Sequence, residues 1–244
     1  MGFPLVNQGQ NLNELVDRAL RRNNLSLRNG DVLAVASKIV SFCENRILKL
    51  DTVRVSTQAT RLSKQWKIDR RLASIVVQEA DYILGGISGF LLTIKDGILT
   101  ANAGVDVKNS PPATATLWPK NSDKTASRLR QHLARKGVSR LGVEIVDSRV
   151  TPLRLGTTGL AIGSFGFEPV HDYRSKPDLY GREVRVTQTN IADDLASAAH
   201  MLMGETREQI GAVVIRNAPV LFGSSVGSKR ILLEPQRCLI SSNF

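Results

Sequence analysis

The chain has 244 residues, enough for one large domain or two modest ones, and its 42% hydrophobic and 23% charged content excludes wholesale disorder. Thirty-three Lys and Arg against 22 Asp and Glu give a formal net charge of +11, a field that attracts nucleic acid, nucleotides or acidic metabolites. Cys43 and Cys238 cannot build a disulfide framework, Met1–Val6 lacks the pattern of a signal peptide, and no run reaches the roughly 18 apolar residues of a membrane helix, so a cytoplasmic protein is expected.

Leu12, Leu15, Val16, Ala19 and Leu20 recur at helical spacing and predict an amphipathic helix over 11–22, with Arg18, Arg21 and Arg22 outward. A turn at Asn29-Gly30-Asp31 leads into the buried strand Val32–Ala36. Ser56 and Asp69 can cap helices over 57–66 and 70–80. Phe90–Ile94 and Ile98–Ala101 flank Lys95-Asp96-Gly97, and Asp-Gly supplies the positive φ angles of a tight hairpin. After a loop opened by Pro111-Pro112, a basic helix runs from Ser122 through Lys136 and stops at Gly137. Leu141–Val146 reads as a strand with Asp147-Ser148 at its C-terminal end, where ligands bind in α/β sheets. Thr158–Gly163 and Glu183–Gln188 are further strands. Asn190 caps an alanine-rich helix over 191–203, closed by Gly204, and Ala212–Ile215 is the last strand. From Asn217 the pattern weakens, with one apolar stretch at Ile231–Leu233. Helices and strands alternate only in part, so a mixed α/β fold with some antiparallel pairing is expected.

Familiar nucleotide motifs are missing. Gly223–Lys229 has the wrong spacing for a phosphate-binding loop, Gly85-Gly86-Ile87-Ser88-Gly89 lacks a dinucleotide-binding context, and His132, His171 and His200 are scattered. What remains is a set of polar segments: Ala101–Ser110 with Asp106 and Asn109, Asp147-Ser148, Met203-Gly204-Glu205-Thr206, and the charge-dense stretch His171–Thr187. Carboxylates from separate loops can share a hard cation such as magnesium or manganese, while bases hold phosphate or carboxylate groups. His171–Thr187, with Asp172, Arg174, Lys176, Asp178, Arg182, Glu183 and Arg185, is expected to belong to a site for a multiply anionic small molecule.

Ser37-Lys38-Ile39-Val40-Ser41, Ala101–Asp106, Asp172-Tyr173-Arg174 with Lys176, Asp178-Leu179, Gly181-Arg182-Glu183, Arg185-Val186-Thr187, Ala192–Ala199 and Met203-Gly204-Glu205 form an ordered set. In these residues the chain resembles the GTP-dependent gamma-glutamyl ligases that add L-glutamate to the deazaflavin coenzyme F-420 precursor. The resemblance implies a gamma-glutamyl ligase-like α/β domain over 1–216, open to division into two subdomains, with 217–244 as a tail. It also implies an intertwined homodimer. Metal ligands would be Asp106, Asp147 and Glu205, with Ser148 beside the metal. Pro4, Leu5, Val6, Ser37, Lys38, Asn109, Met203, Gly204, Glu205 and Thr206 would line the nucleotide site. Asp147 and Arg174 are the catalytic candidates. The implied cofactors are a divalent metal, magnesium or manganese, with potassium as a further candidate, and GTP as co-substrate. The implied reaction passes the γ-phosphoryl group to the precursor's terminal carboxylate, and the amine of glutamate then displaces phosphate.

Against the family pattern, this chain has Phe42 where a lysine is usual, Gln10-Asn11 where acids are usual, Arg149–Arg154 after Asp147-Ser148, and Gly159 where an acid is expected. Two accounts follow: a divergent ligase in which Arg149 or a neighbouring base replaces the lysine, or a non-ligating paralogue that binds an anionic ligand or protein partner. A third is nucleic-acid binding through Lys124, Arg128, Arg130, Arg135, Lys136 and Arg140. The 5% aromatic content, with no aromatic among these bases, speaks against stacking on single strands.

Overall fold

The strand at Val32–Ala36 is apolar on both faces, and such a strand needs a covering layer on each side. The computed structural model, which describes residues 1–223 and 227–240, supplies both. In chain order the elements are α1 (Leu12–Arg22), β1 (Asp31–Ala36), α2 (Ser37–Cys43), β2 (Ile47–Lys49), α3 (Thr57–Trp66), α4 (Arg70–Glu79), β3 (Tyr82–Ile87), β4 (Phe90–Lys95) and β5 (Ile98–Ala101). They continue with β6 (Thr114–Thr116), α5 (Ser122–Ala134), β7 (Leu141–Val150), β8 (Thr157–Phe165), β9 (Val170–Asp172), β10 (Gln188–Asn190), α6 (Ile191–Met203) and β11 (Ala212–Ile215).

The central sheet has the order β11-β1-β7-β8; β1 and β7 are parallel and the other pairs antiparallel. Leu33, Val35, Val143 and Ile145 pack on one face against Leu15 and Val16 of α1 and Leu129 and Leu133 of α5. Val32, Ala34, Val146 and Ala161 pack on the other against Ala192, Leu195, Ala196 and Ala199 of α6. The alanines of α6 let it lie close to the sheet. A Cβ on Gly159 would sit 2.2 Å from the Ala196 carbonyl oxygen, so β8 has no room for a side chain there. A third core joins α3 and α4 to the antiparallel sheet β3-β4-β5 through Ala59, Ile75, Val76, Leu91 and Val105. The other face of that small sheet leaves Tyr82, Leu84, Ile87 and Phe90 exposed.

Local chemistry sets the ends. Asn11, Ser56, Asp69 and Asn190 accept backbone N–H bonds at the starts of α1, α3, α4 and α6, as expected from their side chains. Asp96 and Gly97 take φ of +51° and +79° in the β4–β5 hairpin. The mixed α/β expectation is met.

Three readings need correction. Asp147-Ser148 does not end its strand: β7 runs on to Val150, pairing Asp147 with Leu160 and Ser148 with Gly159, because β8 offers an antiparallel partner along that length. Of Glu183–Gln188, Gln188 alone lies in a strand, at the start of β10. Among the described residues, only a Pro177–Glu183 bridge and the short β9–β10 pair form there, in a mostly exposed excursion. Short elements also escaped the periodicity: α2 and the strands β2, β3, β6, β9 and β10 are too brief or too half-exposed to show a period.

The described part of the tail is packed. Phe222 bridges to Phe167, Ile231 joins the core beneath α6, and the Asp123 carboxylate accepts from the Ser228 N–H at 2.9 Å. Ser224–Val226, within the glycine-serine run considered for phosphate, lie outside the described residues. The bases of α5 and of the turn that follows it are partly committed to structure. Arg130 donates to the Leu141 and Ser139 carbonyls, and Lys136 pairs with Asp17 at 2.5 Å.

Candidate functional site

The segment after β5 turns sharply. Asn102, Ala103 and Gly104 all have positive φ, a conformation that costs a non-glycine residue about 1 kcal/mol or more and persists only where the surroundings enforce it. The enforcement is visible. Asn102 Oδ1 accepts from the Leu91 N–H, and the Ala103 N–H donates to Thr93 Oγ1, both at 2.8 Å and buried. Gly104 faces the Trp118 indole so closely that a Cβ would lie 2.2 Å from Nε1. The turn delivers Asp106, whose Oδ2 accepts from Lys38 Nζ at 2.6 Å and whose Oδ1 accepts from the Lys108 N–H at 2.8 Å.

Asp147 projects from β7 on the Trp118 side of the sheet. Its carboxylate accepts from the Trp118 indole N–H and, at 2.7 Å, from the Ser148 N–H. Burial raises its pKa, against the opposing pull of the Ser148 N–H, the Ser37 hydroxyl, the Trp118 indole and the charge of Lys38.

Glu205 follows the Gly204 stop of α6. Its Oε2 accepts from Lys108 Nζ at 2.5 Å; its Oε1 bonds His200 Nε2 at 2.8 Å and Thr157 Oγ1 at 3.1 Å. Partial burial pushes its pKa up, but Lys108, His200 and Thr157 prevail and hold it at about 2. Lys108 in turn has its pKa raised by Glu205 first and by Asp106 and Asp147 as well, so its ammonium lies within the field of all three acids. Asn109, at φ +53°, donates to the Thr206 carbonyl at 2.8 Å and ties the two loops together.

Lys38, Asp106, Lys108, Trp118, Asp147 and Glu205 border one cavity of about 860 Å³, a size suited to a nucleotide or cofactor. Among the sequence-derived candidates, Pro4, Leu5, Val6, Lys38, Asp106, Asn109, Asp147, Ser148, Met203, Gly204, Glu205 and Thr206 line it. Ser37 lies behind Asp147, buried. Arg174 does not line it. It sits in the exposed 171–187 excursion, where Asp172 engages its guanidinium at 2.5 Å and Arg182 pairs with Asp178 at 3.0 Å. There Arg174 and Arg182 are each matched by a neighbouring acid.

The residues at which the chain departs from the resemblance also have places. Phe42 faces the cavity. Asn11 caps α1, and Gln10 accepts from the Asn7 N–H. Arg149 lines the cavity and is anchored on Asp193 at 3.1 Å.

The family model described as F420-0:gamma-glutamyl ligase matches residues 1–217. The chain belongs to the F420-0:gamma-glutamyl ligase family. It is 32% identical over 236 residues to the coenzyme F420:L-glutamate ligase of Methanothermobacter thermautotrophicus, covering 96% of this chain and 94% of that protein. It is 34% identical over 237 residues to the enzyme of that name from Methanocaldococcus jannaschii, covering 96% and 92%. For that of Methanopyrus kandleri the figures are 36% over 212 residues, 86% and 82%.

For a member of this ligase family, the donor set suits a hard divalent ion in kind: Asp106, Asp147, Glu205 and the Ser148 hydroxyl offer oxygen only. As arranged, no three of His, Cys, Asp and Glu among the described residues converge closely enough to ligate one ion. Two of the acids are instead drawn to lysines, Asp106 to Lys38 and Glu205 to Lys108.

Sequence reasoning missed Lys108, Trp118, Thr157 and His200. Trp118 and His200 look like isolated core residues in the sequence, and the link from Lys108 to Glu205 spans 97 positions. Only the juxtaposition of Lys108 with Asp106 and Asn109 was available as a signal.

Proposed function

We propose that the chain is a GTP- and divalent-metal-dependent ligase that joins L-glutamate through a γ-glutamyl amide bond to the deazaflavin coenzyme F-420 precursor. The observation that carries this reading is the placement of Asp106, Asp147 and Glu205, from three separate segments, on one cavity shared with Lys38, Lys108 and Arg149 in a chain of this family. A multiply anionic donor and an anionic acceptor repel each other, and such bases offset that repulsion in a partly water-excluded site.

In the proposed reaction the γ-phosphoryl group of GTP passes to an oxygen of the precursor's terminal carboxylate, with GDP leaving. The amine of L-glutamate attacks the acyl carbon, the C–N bond forms, and phosphate departs with the carboxylate oxygen. Lys38 and Arg149 supply positive charge along the wall, each positioned by an acid, Asp106 and Asp193. Pro4, Leu5, Phe42 and Phe90 give the cavity an apolar side suited to a flat ring. Asp106, Asp147 and Glu205, with Ser148, would hold the divalent ion, which screens phosphate charge when bound.

A homodimer belongs to the same proposal. The exposed face of β3-β4-β5 and the exposed Leu153, Leu155, Leu179 and Tyr180 support self-association, which would remove them from water. Arg174 would then act across the interface. Sedimentation of the purified chain tests this; a monomer at micromolar concentration removes Arg174 from the proposal.

The decisive assay combines the chain with the deazaflavin precursor, L-glutamate, GTP and Mg²⁺ or Mn²⁺. Mass spectrometry is expected to show added glutamyl units. Folded protein that yields no product under either metal sinks the ligase reading.

A further inference from the structure

Lys108 is the side chain whose position asks for a function of its own. It stands on the tight 106–109 turn: its N–H donates to Asp106 Oδ1, its carbonyl accepts from Lys38 Nζ, and the next residue is tied to Thr206. The backbone is therefore fixed on both sides of the cavity. The side chain is not. It is 55% exposed, and among the described residues only its ammonium is engaged, on Glu205. Lys38 differs: it is 27% exposed and held twice, by Asp106 and by the Lys108 carbonyl. Arg149 is pinned on Asp193.

A cation bound to Glu205 Oε2 needs the oxygen that Lys108 now occupies, because a divalent ion draws its carboxylates to about 2–2.6 Å and tolerates no ammonium between. We propose that Lys108 is a phosphate-binding residue of this cavity that competes with the divalent cation for Glu205. Displaced from Glu205, its four-carbon stem leaves the ammonium beside the same carboxylates, where the phosphate groups of a metal-bound nucleotide would lie. A lysine is suited to this exchange. Its charge is compact and its stem flexible, whereas an arginine fork would be held by geometry. The inference rests on the reading of the cavity as a nucleotide and metal site.

The test uses the full chain and three probes: Mn²⁺ alone, inorganic triphosphate with saturating Mn²⁺, and GTP with saturating Mn²⁺, each by calorimetric titration. Lys108→Met is expected to bind Mn²⁺ alone roughly two- to fivefold more tightly than the parent, the range for loss of one partly exposed ion pair. The same variant is expected to bind inorganic triphosphate and GTP roughly tenfold or more weakly, the loss of a hydrogen bond between charged groups. Lys108→Arg should restore part of the triphosphate affinity. Lys120→Met removes an equal charge outside the cavity and is expected to change none of the three. Equal or weaker Mn²⁺ binding by Lys108→Met overturns the competition. Unchanged triphosphate affinity overturns the phosphate contact, and matching effects from Lys120→Met reduce both to net charge. If the parent binds triphosphate but not GTP, the nucleotide reading fails while the Lys108 comparison still stands on the other two probes.

Discussion

The indole N–H of Trp118 donates to the Asp147 carboxylate, and Gly104 leaves the space that the indole fills. A part-buried carboxylate is thereby held in one orientation toward the cavity, by a residue 29 positions away in sequence. Trp118→Phe keeps the ring and removes the donor. It should reduce turnover about tenfold or more, as loss of a partner that orients a ligand does, and cost about 1.5–3 kcal/mol. Kinetics and thermal melts of the variant check it; unchanged turnover would mean that Asp147 does not depend on the indole.

Asp147→Asn retains the shape of the side chain and removes its charge. Product formation should fall by roughly a hundredfold or more, with the melting temperature largely kept, if the carboxylate acts at the phosphates. A variant with full turnover removes Asp147 from the site.

Glu144 is wholly buried beneath α6, and among the described residues neither carboxylate oxygen has a hydrogen-bond partner. Desolvation, and then the nearby charge of Asp193, raise its pKa well above 4.5. The folded chain therefore takes up this proton more readily than the unfolded chain. The contribution to stability is fully present below about pH 4.5 and is lost as pH rises toward the folded value. Glu144→Gln, which carries no titratable proton, should be more stable than the parent by about 1–3 kcal/mol at pH 8, with the gap closing near pH 4. Urea denaturation at the two pH values measures it; a gap that stays the same contradicts a neutral Glu144.

Gly159→Ala would place a methyl against the Ala196 backbone, where β8 and α6 touch. The overlap should cost about 1–3 kcal/mol or more and lower the melting temperature by several degrees. Because α6 carries His200 and its Gly204 stop leads into Glu205, Mn²⁺ affinity should fall with it. A stable variant with unaltered Mn²⁺ binding would uncouple the helix position from the site.

Long periodic segments were legible in the residues alone. The helices at Leu12–Arg22 and Ile191–Met203 have their caps and apolar faces written locally, as does the Asp96-Gly97 hairpin. The family motifs likewise marked Asp106, Asp147 and Glu205 as a set. Short elements such as α2 and β6 were hidden, because one turn or three residues carry no period. His171–Thr187 reads as an anion site on charge alone. Folded, Asp172 and Asp178 engage Arg174 and Arg182, since residues two and four apart reach each other before any distant ligand does.

The sequence by itself determined the mixed α/β class, the ends of the principal helices and the residue types available for phosphate and metal chemistry, all of which depend on neighbours within a few positions. Only the tertiary structure decided that Lys108 meets Glu205, that Trp118 and Ser37 flank Asp147, and that Arg174 stands apart from the cavity. Those contacts arise where loops of different elements meet, and no local rule of spacing carries them. Asp147 shows both halves. Its carboxylate was readable as a candidate, but its orientation came from an indole that only the packed chain brings within reach.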